Sequence, residues 1–256
     1  MLYPPPIWSN RALRKIIVGF SGGVTSAWAL GWALLSFPRN EVVALFHDTK
    51  SEDVDTYRFL REMATRLDVP IVERSDGRSV EEVEDDEGAL ANNRMAFCSR
   101  ILKVEQRDKY FEELRATGIT EIVNVLGFLA HEWQRVQRAT MRAEQGSYTA
   151  RFPGVEQQMT KQACADWCIG LGVRPPRMYE WSDHANCPGC RRGGKTYWLA
   201  VREHRPDVFE RAKQREMSFD HTIINGCSLV TLERDGMKRP AKRREAISIG
   251  SCECGD

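Results

Sequence analysis

Ser21-Gly22-Gly23-Val24-Thr25-Ser26 is the segment whose residue types are suited to holding an oxyanion. Gly22 and Gly23 carry no Cβ, so backbone there can come close to an anion and take a positive φ. Ser21, Thr25 and Ser26 add hydroxyls around the same point. The apolar, β-branched run Ile16-Ile17-Val18-Gly19-Phe20 precedes it, and the helix-forming Ala27–Leu35 follows, too long and apolar for a loop. Strand, glycine turn and helix start make an anion site, because first-turn N–H groups lack intrahelical partners and the helix dipole favours negative charge. Neither G-x-x-x-x-G-K-[ST] nor G-x-G-x-x-G occurs here. The alternative is a strand-turn-helix whose glycines serve packing alone.

Cysteines form the second chemical group, eight in all. In Cys187-Pro188-Gly189-Cys190 the Pro-Gly dipeptide enforces a turn that aims two soft sulfurs at one point, as zinc or an iron-sulfur cluster requires. Cys98 opens a helix running from Phe97 to Leu114 or Arg115, where the dipole and Arg100 would acidify a thiol; a small buried hydrophobe is the other reading. Cys252 and Cys254 flank Glu253. Metal candidates are thus Cys98, Cys187, Cys190, Cys252 and Cys254. Cys164 and Cys168 share a helix face within Thr160–Leu171, among Ala163, Ala165, Trp167 and Ile169, which favours packing over metal.

The elements that must position these groups follow from the apolar runs. Glu41–Thr49, Val69–Glu73 and Glu121–Phe128 read as further strands, near-continuously apolar as in parallel sheets covered on both faces. Helices are expected over Val54–Ala64 and, last in the chain, Tyr197–Glu216. The fold class is therefore α/β, a doubly wound, mostly parallel sheet with a Cys-bearing C-terminal extension. Residues 1–150 are expected to form the nucleotide-binding part and 151–256 an extension packed on it. Asp48 stands at a strand's carboxyl end, as a nucleotide contact or as a helix cap, and Asp53 as a cap. The run Glu81–Glu87, within Asp76–Asn93, reads as a solvated or mobile block. The basic series Arg234, Lys238, Arg239, Lys242, Arg243 and Arg244 is either a solvated face or a polyanion site.

Lys and Arg number 37 against 36 Asp and Glu, a formal charge of +1, so nothing global demands nucleic acid or an acidic membrane. No apolar run approaches the ~20 residues that span a bilayer. Met1-Leu2-Tyr3-Pro4-Pro5-Pro6 has no signal-peptide core, and C-x-x-C spacing reads as metal or redox chemistry instead of a secreted disulfide framework. A soluble, cytoplasmic protein without a membrane partner is expected.

Ser21–Ser26 resembles the S-G-G-x-x-S pyrophosphate loop, or PP-loop, of the adenine nucleotide alpha hydrolase superfamily. That superfamily includes ATP pyrophosphatases, tRNA-thiolating enzymes and phosphoadenosine phosphosulfate (PAPS) reductases. Phe20–Ser26 is similar to the F-S-G-G-V-T-S loop of phage-borne PAPS reductase-like proteins. Cys98-Ser99-Arg100-Ile101-Leu102-Lys103 resembles the family's C-x-x-L-K element with an offset of one residue. His184–Trp198 resembles the N-A-N-C-x-G-C-x-x-G-G-x-x-Y-W stretch of the same phage-type proteins, and Glu253-Cys254-Gly255 the E-C-G of a C-terminal E-C-G-I-H, without its Ile-His.

The resemblance, from Ile16 to about Arg215, implies a Rossmann-like fold binding ATP or PAPS. It assigns the phosphates to Ser21, Gly22, Gly23, Thr25 and Ser26, with Asp48 and Gly127 beside them. Lys103, Arg135 and Cys254 are the implied catalytic residues, Cys254 as a nucleophile toward sulfur or as a metal ligand. It also favours a [4Fe-4S] cluster over zinc. Two chemistries follow: ATP cleavage with adenylation of an acceptor, including a tRNA base or DNA backbone destined for sulfur modification, or sulfonucleotide reduction. Expected partners are the adenine nucleotide, a sulfur donor or a reductant such as thioredoxin, nucleic acid, and a second copy of the chain. A reading of another class is a non-catalytic nucleotide or nucleic-acid binder folded on a zinc knuckle.

Overall fold

The computed structural model describes residues 13–236 and Ile247. Five strands form one sheet in the order β3-β2-β1-β4-β5, every neighbouring pair parallel. They are β1 (Arg14–Gly19), β2 (Val42–Asp48), β3 (Ile71–Ser75), β4 (Glu121–Val125) and β5 (Thr149–Arg151). The chain builds outward from β1 to β3, then returns to the other side of β1 for β4 and β5. The direction of winding therefore switches between β1 and β4, and the crevice beyond their carboxyl ends is where an open parallel sheet binds its ligand. β1 ends just before Ser21, and β4 just before Gly127.

Helix α1 (Val24–Ser36) starts at this switch point and is buried along most of its length, because alanine, leucine and glycine let it lie between the sheet and its neighbours. Helices α2 (Val54–Leu67), α3 (Val80–Glu87), α4 (Phe97–Ser99) and α5 (Gln106–Ala116) come next, α4 and α5 being joined by a π-helical turn over Arg100–Glu105. Then follow α6 (Trp133–Gln145), α7 (Pro153–Glu156) and α8 (Lys161–Gly170). Cys164 and Cys168 on α8 are fully buried in the core shared with α1, so they are packing residues. Gly31 of α1 permits that contact: a Cβ there would lie 2.4 Å from the Trp167 ring.

Three elements differ from expectation. β5 has only three residues, too few for an alternating or continuous apolar signature. The segment expected as one final helix is two, α9 (Lys195–His204) and α10 (Pro206–Ser218), with α11 (Leu229–Asp235) after them. Pro206 cannot donate the hydrogen bond that would continue α9 and instead begins α10. These three helices share a second core, on Trp198, Phe209, Leu229 and Leu232.

The acidic block is the third correction. Ser79 and Glu82 form a capping box at the start of α3, and Glu84 is 0% exposed. Arg191, itself 4% exposed, grips Glu84 through two bonds of 2.7 and 3.0 Å, and Arg215 adds a third of 2.9 Å. Ala91 N–H donates to the same carboxylate. A run that reads as solvated thus holds α3 against α10 and against the residue that follows Cys190. No described helix is long and apolar enough to cross a membrane.

Candidate functional site

Gly22 takes φ +80°, turning the chain from β1 into α1, and a Cβ on it would stand 2.4 Å from Thr56 Cγ2. Gly23 is the residue before the helix, with no side-chain cap and no acidic residue in the first turn of α1. Ser26 is an internal brace: its Oγ donates to Gly23 O at 2.8 Å and accepts from Ser21 N–H at 3.2 Å. Tyr179, 155 positions away, accepts the Val24 N–H at 3.2 Å through its buried hydroxyl. Gly127 closes the arrangement from β4. A Cβ there would lie 2.5 Å from Thr25 O and 2.8 Å from Ser26 N, so only glycine lets the chain leaving β4 lie against the first turn of α1.

A cavity of about 550 Å³ opens on this helix start, lined by Ser21, Gly23, Thr25, Ser26 and Gly127. Lys103, Arg135, Arg138, Lys161 and Arg192 also line it, a concentration of positive charge suited to several phosphate or sulfate groups. Leu45, Leu126 and Phe128 give it an apolar side. Arg135 stacks over the Phe128 ring at 4.2 Å while pairing with Glu132. Two buried polar atoms on the cavity wall have no hydrogen-bond partner, Asn124 Nδ2 and His47 Nε2. Burying them unpaired costs about 1–3 kcal/mol each, so the wall is complementary to a polar ligand.

Burial, with Lys103, Arg107 and Arg74 nearby, lowers the His47 pKa to about 3. The folded protein therefore refuses a proton that the unfolded chain accepts near pH 6.5, and stability falls as pH drops between those values. The loss from this group approaches about 1.4 kcal/mol per pH unit. Urea unfolding from pH 7 to pH 4 should show that decline, and His47→Gln should flatten it. An equal slope in both proteins would contradict the assignment.

Asp48 is placed elsewhere than expected. It is buried, accepts hydrogen bonds from Lys50 N–H, Lys50 Nζ and Tyr57 Oη, and lines neither of the cavities described here. Burial disfavours its charge, but the Lys50 and Tyr57 bonds prevail and hold its carboxyl below the usual range. The physical reason is the pleat: successive strand residues face opposite sides, so His47 faces the cavity while Asp48 turns to Tyr57 of α2. Asp53 caps α2 through Asp55 N–H at 2.9 Å, as expected. Its carboxylate also binds Arg177 and Arg205.

A second cavity, about 850 Å³, shares Ser21, Lys103, Arg135 and Arg138 with the first and extends to Cys98, Cys187 and Cys190. The π turn bears on this junction. Lys103 lies within it and points inward to Glu52, with Nζ to Oε1 3.1 Å. Burial opposes the charge on Lys103, yet Glu52 outweighs it and the ammonium pKa is raised.

Cys98 does not have the acidified thiol expected. Burial, reinforced by Cys190 and Glu84, pushes it up to about 11. Arg100 is turned to Glu105, and the helix is π-wound immediately after three residues. Cys187 is likewise raised by burial and by Glu52, its sulfur lying 3.3 Å from Thr49 Oγ1 and 3.5 Å from Glu52 Oε1. Among the described residues no three His, Cys, Asp or Glu side chains converge as a metal-ligand set. Cys252 and Cys254 lie outside the described residues, as does most of the basic series. The donors present do not by themselves fit a cluster or zinc, and no step below is routed through one.

The C-P-G-C turn is held from two sides. Gly189 has φ +77°, and a Cβ there would meet Val208 Cγ1 at 2.6 Å. Tyr197 Oη accepts the Cys190 N–H at 3.1 Å and donates to Cys187 O at 2.9 Å. Arg191 Nη1 donates to Gly189 O while its other nitrogens bind Glu84. Neither Tyr179 nor Glu84 is visible as a site-building residue in the sequence, and no local pattern marks Glu52 or Asn124.

Residues 15–121 match the family model described as phosphoadenosine phosphosulfate reductase domain. The matched segment is similar to that family's domain and is 107 of the chain's 256 residues. The match begins in β1 and ends at the first residue of β4, so it includes the Gly22-Gly23 turn, Glu52, Cys98 and Lys103. Among solved structures, the phosphoadenylyl-sulfate (PAPS) reductase from Candida auris, in a phosphate complex, is similar at 17% identity. The similarity covers 67% of this chain and 78% of that one, with a TM-score of 0.42. No curated protein matches the chain. The parallel sheet flanked by helices is the α/β, Rossmann-like fold expected of the chain.

Proposed function

We propose that the protein is a PP-loop enzyme that binds PAPS in the 550 Å³ cavity and reduces its sulfuryl group to sulfite. The observation that carries this reading is the cluster of cations around the α1 start. A helix N-terminus alone suits one phosphate; Lys103, Arg135, Arg138, Lys161 and Arg192 around it suit a ligand with several anionic groups. The adenine would lie on Phe128 and Leu126, with Asn124 Nδ2 available to its ring nitrogens. The amides of the Gly22-Gly23 turn would hold the phosphate chain, with Ser21 and Thr25 assisting and Ser26 bracing the turn. Gly127 serves by steric fit. Lys103 and Arg135 would stabilise the negative charge that grows on the bridging oxygen as the sulfuryl group leaves, which is electrostatic catalysis by fixed donors. The nucleophile is a cysteine thiolate, and an external dithiol such as thioredoxin would return the reducing equivalents.

The bare Gly22-Gly23 turn favours a second reading, because it leaves donors for a departing pyrophosphate: cleavage of ATP with adenylation of an acceptor, including a nucleic acid marked for sulfur insertion. Incubation with PAPS and a dithiol, and separately with labelled ATP, distinguishes the two. Sulfite and adenosine 3′,5′-bisphosphate support the first, AMP and pyrophosphate the second. Binding of either nucleotide with no turnover under both conditions would contradict both.

A further inference from the structure

Tyr179 reaches the Gly22-Gly23 turn from outside the segment that matches the family model. It is 5% exposed, belongs to the core that α1 and α8 share, and lines the 550 Å³ cavity. A phenol oxygen can accept two hydrogen bonds and donate one. Here it accepts the Val24 N–H at 3.2 Å and a second backbone bond from Ala185. A Cβ on Gly23 would lie 3.1 Å from the same oxygen, so the hydroxyl stands directly against the turn. Among the described residues no hydrogen bond takes its own proton. Burial raises its pKa, so that proton stays on the oxygen. A buried O–H without an acceptor is costly, and the open direction left to it is the cavity.

The residue is also fixed from behind. It lies in a 3₁₀ turn, Arg177–Glu180, that follows Pro176. Arg177 donates its backbone N–H to Asp55 Oδ2 at 2.7 Å and sets its guanidinium on both oxygens of Asp53 at 2.9 Å. Arg58 of α2 reaches Arg174 O at 3.0 Å, just before this turn. The phenol is therefore tied to the start of α2 as well as to the start of α1, and little side-chain freedom remains to be lost when a ligand binds.

We propose that Tyr179 is a further ligand-binding residue of the site, donating its O–H to an anionic oxygen of the phosphate chain held at the Gly22-Gly23 turn. That a phosphate chain lies at this turn is the function proposed above, on which the assignment rests. The Val24 N–H is then not a ligand donor. It holds the phenol oxygen in place, and the phenol presents its proton to the ligand in the amide's stead. The donors around the phosphates thus come from two distant parts of the chain, and the matched segment alone does not supply them all.

Titration calorimetry of the full-length protein with inorganic pyrophosphate, PAPS and adenosine tests this. Tyr179→Phe keeps the ring and removes the hydroxyl. Its affinity for pyrophosphate and for PAPS should fall roughly ten- to hundredfold, as for the loss of a hydrogen bond to a charged group, while adenosine binding stays as in the parent. Its melting temperature without ligand should also drop, because the Val24 N–H loses its acceptor. A lower melting temperature with unchanged affinity for both anions would overturn the proposal, making Tyr179 a structural residue only and leaving the nucleotide reading intact. A fluorotyrosine in place of Tyr179 in the otherwise unaltered chain gives a second measurement that does not depend on the folding of the phenylalanine variant. Its fluorine resonance should shift with pyrophosphate and not with adenosine, and a resonance indifferent to saturating pyrophosphate would equally overturn the proposal. Weakened binding by Tyr179→Phe, with no sulfite formed from PAPS by the parent, would uphold the phenol's role and reject PAPS reduction. No binding of pyrophosphate or PAPS by the parent would reject both.

Discussion

Gly22→Val should weaken nucleotide binding at least about a hundredfold, a loss near 2.7 kcal/mol. Two effects combine. Valine at φ +80° occupies a backbone region that costs an L-residue roughly 1–2 kcal/mol. Its Cβ would also sit 2.4 Å from Thr56 Cγ2, and Thr56 is 0% exposed, so neither side can yield freely. The turn must open, and the amides at the start of α1 then no longer converge. Titration calorimetry with PAPS and with ATP measures the loss, and thermal unfolding reports whether the sheet survives. Unchanged affinity in a folded variant would show that the turn does not bind the phosphates.

Glu84→Ala should cost roughly 3–5 kcal/mol of stability, the expected penalty for breaking a buried ion pair. Arg191 would keep a charge at 4% exposure with its bidentate partner gone, and Arg215 would retain Asp85, the Glu81 carbonyl and the face of Phe219. For a chain of this size each kcal/mol lowers the melting temperature by about 2–4 °C. Loosening should be largest at the C-P-G-C turn, since Arg191 also holds Gly189 O. Replacing Glu84 and Arg191 together by leucine and methionine should recover part of the loss, because apolar pairs of similar volume often substitute for buried ions. A Glu84→Ala melting temperature within 2 °C of the parent would show the triad to be energetically idle, at about 1 kcal/mol or less.

These effects explain which parts of the site the sequence discloses. The Gly22-Gly23 turn is legible because its signal is local: β1, two glycines and the start of α1 lie within a few residues of one another. Buried parallel strands likewise announce themselves as apolar runs. Asp48 shows the limit: its neighbour His47 faces the cavity and Asp48, on the other face of the strand, does not, and which face carries the site is not written in the strand itself. Glu84 is the harder case. Four acids in a row signal solvent, and its partner arginines stand 107 and 131 positions away. Tyr179 contacts the turn from 155 positions away.

The account depends on the cationic cavity at the start of α1 gripping the anionic groups of an adenine nucleotide. Calorimetric titration of the full-length protein with PAPS and with adenosine at two salt concentrations tests this most directly. PAPS should bind with an affinity that falls steeply as salt rises, and adenosine at least a hundredfold more weakly, since it lacks every group the cations would meet. Equal binding of the two, or no heat from PAPS at low salt, would contradict it.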